Sequence, residues 1–88
     1  MRLDGKTAIV TGGGSGFGAG IARKFAAEGA RVMVADINGE GAETVAARIG
    51  GIAQACDVSS GDSVAAMAEA ANAAWGRVDI LVNNAGIT

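Results

Sequence analysis

The chain has no proline, no histidine and no tyrosine, and only one cysteine, one tryptophan and two phenylalanines among its 88 residues. With no histidine and a single cysteine, Cys56, the usual ligand set for zinc is missing, and no metal site is expected. One cysteine also rules out an internal disulfide, which fits a reducing compartment. Long apolar runs are absent too: the longest are about five residues, against roughly 20 for a membrane-spanning helix. The first residues, Met1-Arg2-Leu3-Asp4-Gly5-Lys6, carry charge and no apolar stretch, so no signal peptide is visible. A cytoplasmic location is expected. Seven Lys and Arg against nine Asp and Glu give a net charge of −2. The cations are scattered singly and no aromatics are interleaved with them, which argues against nucleic acid as a partner.

What is present is small and apolar. Half of the residues are hydrophobic, chiefly Ala, Val and Ile, and fifteen are glycine. Small side chains suit thin, closely packed layers of helix on sheet, and the glycines fall between periodic segments, where turns and caps belong. A chain of this length has room for one domain at most and buries only roughly 60–65% of the surface its unfolded form exposes.

Four short β-branched runs alternate with helical patterns. Thr7-Ala8-Ile9-Val10-Thr11 is continuously apolar in its middle, as a strand covered on both faces should be. Gly18 to Glu28 reads as a helix with Ile21, Ala22, Phe25 and Ala26 on one face and Gly29 as a left-handed cap. Arg31 to Asp36 is a second strand. Ala42, Val45, Ala46 and Ile49 mark a second helix closed by Gly50-Gly51, and Ile52 to Cys56 a third, weakly β-branched strand. Ser59-Ser60-Gly61-Asp62 resembles a capping box with Asp in place of Glu. The helix it opens is expected to turn Val64, Met67, Ala68, Ala71 and Trp75 inward and to end at Gly76. Asp79 to Asn83 is the fourth strand. Strands joined through helices run parallel with right-handed crossovers, so the order β-α-β-α-β-α-β predicts an open, doubly wound α/β sheet.

The loop from Thr11 to Gly20 follows the first strand and opens the first helix. Gly12 would permit the tight turn, Gly16 would let the backbone approach a pyrophosphate, and Gly18 would let the helix pack closely on the strand. The N–H groups at the helix start, around Gly16 to Ala19, would face the phosphates with the positive end of the helix dipole. No Gly-Lys-Ser or Gly-Lys-Thr triplet occurs, which speaks against the other common phosphate loop. A flexible turn without a ligand is the alternative. Asp36 ends the second strand eighteen positions after Gly18, where a dinucleotide-binding unit places an acid for the adenosine ribose hydroxyls. A carboxylate there would repel a 2′-phosphate, and Ile37 and Ser15 stand where a cation could have helped one; NAD is thus expected over NADP. The alternative for Asp36 is a solvated aspartate opening the turn with Asn38-Gly39.

Thr11-Gly12-Gly13-Gly14-Ser15-Gly16-Phe17-Gly18, Asp57-Val58 and Asn83-Asn84-Ala85-Gly86 together resemble the short-chain dehydrogenases/reductases, which carry T-G-x-x-x-G-x-G, an Asp-Val pair and N-N-A-G in this order. The resemblance covers the whole chain and is strongest to the branch of 3-oxoacyl-carrier-protein reductases. It implies a Rossmann-type sheet of strand order 3-2-1-4 and hydride transfer between a nicotinamide cofactor and an alcohol or ketone. It also implies residue roles: Gly12, Ser15, Gly16, Phe17 and Gly18 along the phosphates and adjacent ribose, Asp36 and Ile37 beside the adenosine ribose, and Cys56, Asp57 and Val58 beside the adenine. Asp57 would accept from the adenine amino group, Asn84, Ala85 and Gly86 would border the nicotinamide-side ribose, and Asn83 would steady the sheet.

The family's catalytic serine and Tyr-x-x-x-Lys have no counterpart here: tyrosine is absent, and the only lysines are Lys6 and Lys24. No catalytic residue is therefore assigned. Residues 1–88 are expected to be the N-terminal dinucleotide-binding part of a single Rossmann domain, inactive alone, with its fourth strand exposed for self-association. A stand-alone, non-catalytic dinucleotide-binding module is the alternative.

Overall fold

Thr7–Thr11 is buried along its whole length and forms β1 (Thr7–Thr11), the strand on which the architecture is centred. The computed structural model describes residues 2–14 and 16–84. After β1 come α1 (Gly16–Ala27), β2 (Arg31–Asp36), α2 (Gly39–Ile49), β3 (Ile52–Ala55), α3 (Gly61–Trp75) and β4 (Ile80–Asn83). The strands form one parallel sheet in the order β3-β2-β1-β4. Thr11 is in register with Ala35 on one side and Asn83 on the other, and Asp36 with Ala55. The C-terminal ends of all four strands thus share one rim.

The alternation of side chains along β1 and β2 sorts the core into two layers. Val10, Val32 and Val34 point to one face, where Ala19 and Ala22 of α1 and Ala42, Val45 and Ala46 of α2 cover them. Ile9, Met33 and Ala35 point to the other and meet Met67 and Ala71 of α3, with Cys56. Crossovers of one hand require this division: β1→β2→β3 steps one way across the sheet, and β3→β4 steps back past β1, so its helix must lie on the opposite face. The reversal opens a crevice between the ends of β1 and β4. Alanine at the helix contacts lets both layers approach the sheet closely, as the composition implied.

Most expected elements stand within two residues of the sequence reading; α1 starts two residues earlier, at Gly16. Two expectations about α3 are corrected. Its N-cap is Ser60, whose hydroxyl accepts from the Ser63 amide, so the box does not run from Ser59 to Asp62. Ser59 is instead held by Asp57. Nor do Val64 and Ala68 turn inward: both are exposed, and the buried stripe is Met67 and Ala71, with Trp75 half-buried. Val64, in the first turn of α3, is 37% exposed although it lies on the same side of the helix as Ala71. Ala68 lies about 100° around the helix from Met67.

At the opposite end of β1, Asp79 clasps the start of the sheet. Its Oδ2 accepts from the Thr7 amide at 2.9 Å, lies 3.2 Å from the Thr7 hydroxyl and pairs with Arg77 Nε at 3.3 Å. The Thr7 amide holds this carboxyl below the usual carboxylate range; partial desolvation opposes the effect, while the Thr7 hydroxyl, Arg77 and Lys6 reinforce it. The unfolded chain therefore binds the proton first as pH falls. The clasp contributes fully above the ordinary aspartate value of about 4, and its contribution is lost as pH drops through the lower folded value. Asp79→Asn is expected to flatten the acid limb of the denaturation midpoint below about pH 5. An unchanged acid limb in the variant would assign the pH dependence elsewhere.

Candidate functional site

The loop between β1 and α1 is shaped by glycines with distinct physical roles. Gly12 and Gly16 hold φ of +65° and +57°, the left-handed region that L side chains rarely enter. Nothing lies within 4 Å of where a Cβ on Gly16 would be, so the backbone there faces open space. Gly18 is the opposite case. A Cβ on it would overlap the Gly12 carbonyl oxygen and sit 2.6 Å from the Gly12 carbon and 2.7 Å from Asn84 Nδ2. The start of α1 can lie against the end of β1 only with hydrogen at this position.

The first-turn N–H groups of α1 have no acceptor within the helix, and the helix dipole adds positive potential to them. α2 and α3 place Glu40 and Asp62 in their first turns; α1 has no acid there. This leaves the loop side of α1 a surface of N–H donors with no acid in the helix's own first turn, suited to an external anion.

Asp36, at the end of β2, is half-buried and reaches back to the same loop. Its Oδ2 accepts from the Gly14 amide at 2.9 Å and its Oδ1 from the Asn38 amide at 2.9 Å. Asn38 caps α2 by accepting from the Gly41 amide at 3.2 Å. The alternative of a purely solvated turn aspartate therefore misses half of the arrangement: the carboxylate does open the turn, and it also ties the glycine loop to β2.

Across the crevice, Thr11 joins β1 to β4 beyond the backbone ladder. Its hydroxyl donates to the Val82 carbonyl at 3.0 Å and accepts from the Asn84 amide at 3.0 Å, with Asn83 Oδ1 at 3.4 Å. Asn84 Nδ2 donates to the Gly12 carbonyl at 3.3 Å. The β4 end and the glycine loop are thereby fastened together. Of the residues singled out in the sequence, Gly12, Gly16, Gly18, Asp36, Asn83 and Asn84 converge on this part of the rim, and Phe17 stands in the first turn of α1 beside it. Ser15, Ala85 and Gly86 lie outside the described residues.

The third strand contributes Cys56, Asp57 and Val58. The Cys56 amide donates to the Asp36 carbonyl at 2.9 Å, while its thiol packs in the core against the α3 layer. Burial pushes that thiol's pKa up, with help from the neighbouring Asp57 charge, so it behaves as a small hydrophobe rather than a nucleophile. Only the backbone of Cys56 serves the rim. Asp57 Oδ1 accepts from the Ser59 hydroxyl at 2.6 Å and the Ser59 amide at 2.9 Å, and these bonds hold the carboxyl below the usual range. Three large apolar side chains stand exposed near the strand ends: Phe17 at 83%, Ile37 at 74% and Val58 at 41%. Among the described residues, no group of three or more His, Cys, Asp or Glu could hold a metal, and no helix is long and apolar enough to cross a membrane.

The sequence reading missed Thr11, Gly14, Asn38 and Gly41 as parts of the site. Thr11 was in view as the first residue of the motif, and its burial at 3% exposure is what makes its hydroxyl a bridge. The contact of Gly14 with Gly41 joins positions far apart in the chain and leaves no local signal.

Residues 6–88 match the family model described as short chain dehydrogenase. The chain is 53% identical to D-threitol dehydrogenase of Mycolicibacterium smegmatis, over 99% of this chain and 35% of that protein. It is 50% identical to 7alpha-hydroxysteroid dehydrogenase of Escherichia coli, over 98% of this chain and 36% of the relative. Among solved structures, 3-ketoacyl-(acyl-carrier-protein) reductase from Brucella melitensis, complexed with NADH, superposes with a TM-score of 0.90 at 51% identity, covering 92% of this chain and 34% of that one. Hydroxysteroid dehydrogenase from Escherichia coli gives a TM-score of 0.93 at 48% identity, covering 97% and 37%. The chain thus spans about a third of the length of these relatives. With its parallel 3-2-1-4 sheet, its glycine loop and Asn83-Asn84 at the end of β4, the chain belongs to the short chain dehydrogenase family.

Proposed function

We propose that these residues bind a nicotinamide dinucleotide, NAD in preference to NADP, for an oxidoreductase that moves a hydride between the cofactor and an alcohol or ketone. The observation that carries the reading is the joining of three features at one rim. These are donor N–H groups at the start of α1, the Asp36 carboxylate tied to the loop through Gly14, and the Asn84 side chain bonded to the Gly12 carbonyl. A pyrophosphate fits the first feature, a ribose diol the second, and the second ribose lies toward the third. The Brucella reductase, 51% identical over the aligned third of its length, is complexed with NADH, which supports a nicotinamide cofactor here.

In this reading Gly12, Ser15, Gly16, Phe17 and Gly18 line the phosphates, while Asp36 and Ile37 flank the adenosine ribose. Cys56, Asp57 and Val58 border the adenine, Asn84, Ala85 and Gly86 serve the nicotinamide-side ribose, and Asn83 steadies the sheet. Ile37 and Val58 supply apolar surface for the flat base, which gives their exposure a purpose. The bound nicotinamide supplies or accepts the hydride. The residues here bind and orient; reduction of a carbonyl also needs a proton donor, and with neither tyrosine nor histidine in the 88 residues we assign none of them that role.

Calorimetric titration of the longest natural chain carrying this sequence tests the proposal. Saturable 1:1 binding of NAD, competed by ADP-ribose, is expected. No heat and no competition at millimolar NAD would overturn it.

A further inference from the structure

Gly14 and Gly41 touch backbone to backbone. A Cβ on Gly14 would lie 2.8 Å from Asp36 Oδ2, 3.0 Å from the Ala42 nitrogen and 3.1 Å from the Gly41 carbonyl carbon. A Cβ on Gly41 would lie 3.1 Å from the Gly14 oxygen and 3.1 Å from Asn38 Nδ2. Neither glycine has a positive φ, so conformational freedom does not explain them. What they provide is close approach of the glycine loop to the first turn of α2.

That approach bears directly on Asp36. A carboxylate has about four lone-pair sites. One on each oxygen is used by the Gly14 and Asn38 amides, and the two donors come from the two segments that meet at the glycine contact. Fixing both oxygens stops the carboxylate from rotating and leaves one lone-pair direction on each for a pair of neighbouring hydroxyls. A methyl group on Gly14 displaces Oδ2 itself. One on Gly41 presses on Asn38, the residue whose amide holds Oδ1 and whose side chain caps α2.

Resting on the nucleotide reading above, we infer that Gly14 and Gly41 are positioning residues for cofactor choice. Their side-chain-free contact presets the Asp36 carboxylate for a ribose diol, and so for NAD. The role differs from generic packing because its effect reaches one cofactor through one carboxylate.

The test is calorimetric titration of the full natural chain with NAD and with NADP, in wild type, Gly14→Ala, Gly41→Ala, Asp36→Ala and the Gly14→Ala/Asp36→Ala double variant. Each glycine variant is expected to weaken NAD about tenfold, the loss of one well-made bond to a charged group, while NADP changes by less than about threefold. In the Asp36→Ala background, Gly14→Ala is expected to cost NAD less than about twofold, because the two changes act through the same carboxylate. Equal weakening of both cofactors, or an undiminished Gly14→Ala effect without Asp36, would overturn the inference. Gly41→Ala makes the milder contact and carries the test if Gly14→Ala does not fold. If Asp36→Ala binds NAD like wild type, the adenosine-ribose assignment falls and this inference falls with it. If Asp36→Ala weakens NAD but both glycine variants match wild type, the inference alone falls.

Discussion

Alanine at Gly18 is expected to destabilise the fold by about 3 kcal/mol and to abolish dinucleotide binding. The added methyl group would overlap the Gly12 carbonyl, which is backbone and cannot swing aside, and would crowd Asn84 Nδ2 at 2.7 Å. Relief requires moving the first turn of α1 away from the end of β1. That movement breaks the Asn84 bond to Gly12 and turns the first-turn N–H groups away from the crevice. A denaturant titration reads the stability, and nucleotide titration below the unfolding midpoint reads the binding. Gly20→Ala is the control: it lies in the same helix, its Cβ would meet nothing within 4 Å, and alanine favours helix over glycine by about 1 kcal/mol. Wild-type stability and affinity in Gly18→Ala would mean that the close approach is not needed.

The second large effect belongs to Asp36. Asp36→Ala is expected to weaken NAD about thirtyfold, since it removes a charged acceptor from the ribose and releases the Gly14 and Asn38 amides at once. Asp36→Asn separates these contributions. The amide keeps one acceptor oxygen and loses the charge, so NAD should weaken only about fivefold while NADP, freed of repulsion with its 2′-phosphate, should gain about tenfold. A ratio of NAD to NADP affinity that is the same in wild type and in both variants would remove Asp36 from cofactor choice.

Much of this was legible in the residues because local and tertiary demands agree. β1 and β2 are buried on both faces and read as unbroken apolar runs, and the glycine loop can be placed only because it follows one of them. Legibility failed where two local solutions were equally good and distant contacts chose between them. Ser59 and Ser60 are both competent caps; Asp57 binds the first and leaves the cap to the second. Val64 and Ala68 belong to an apolar pattern, but pattern alone does not say which of its residues a helix turns onto the sheet. The same holds for Gly41, which reads as an unremarkable glycine in a first helical turn until Gly14 is laid against it. Asp36 was found by its spacing, yet its bonds to Gly14 and Asn38, the feature that makes its carboxylate a fixed acceptor, depend on that same packing.

Dinucleotide binding as proposed requires the backbone between Gly12 and Ala19 to cradle a pyrophosphate. Amide-resolved NMR titration of isotope-labelled protein with NAD reads it residue by residue. Saturable shifts are expected at the amides of Gly16, Phe17, Gly18 and Ala19, with smaller ones at Asn38 and Asn84, and none at Thr7 or Asp79 at the far end of the sheet. Loop amides that stay in place at saturating NAD, or shifts centred on the Thr7–Asp79 end, would contradict it.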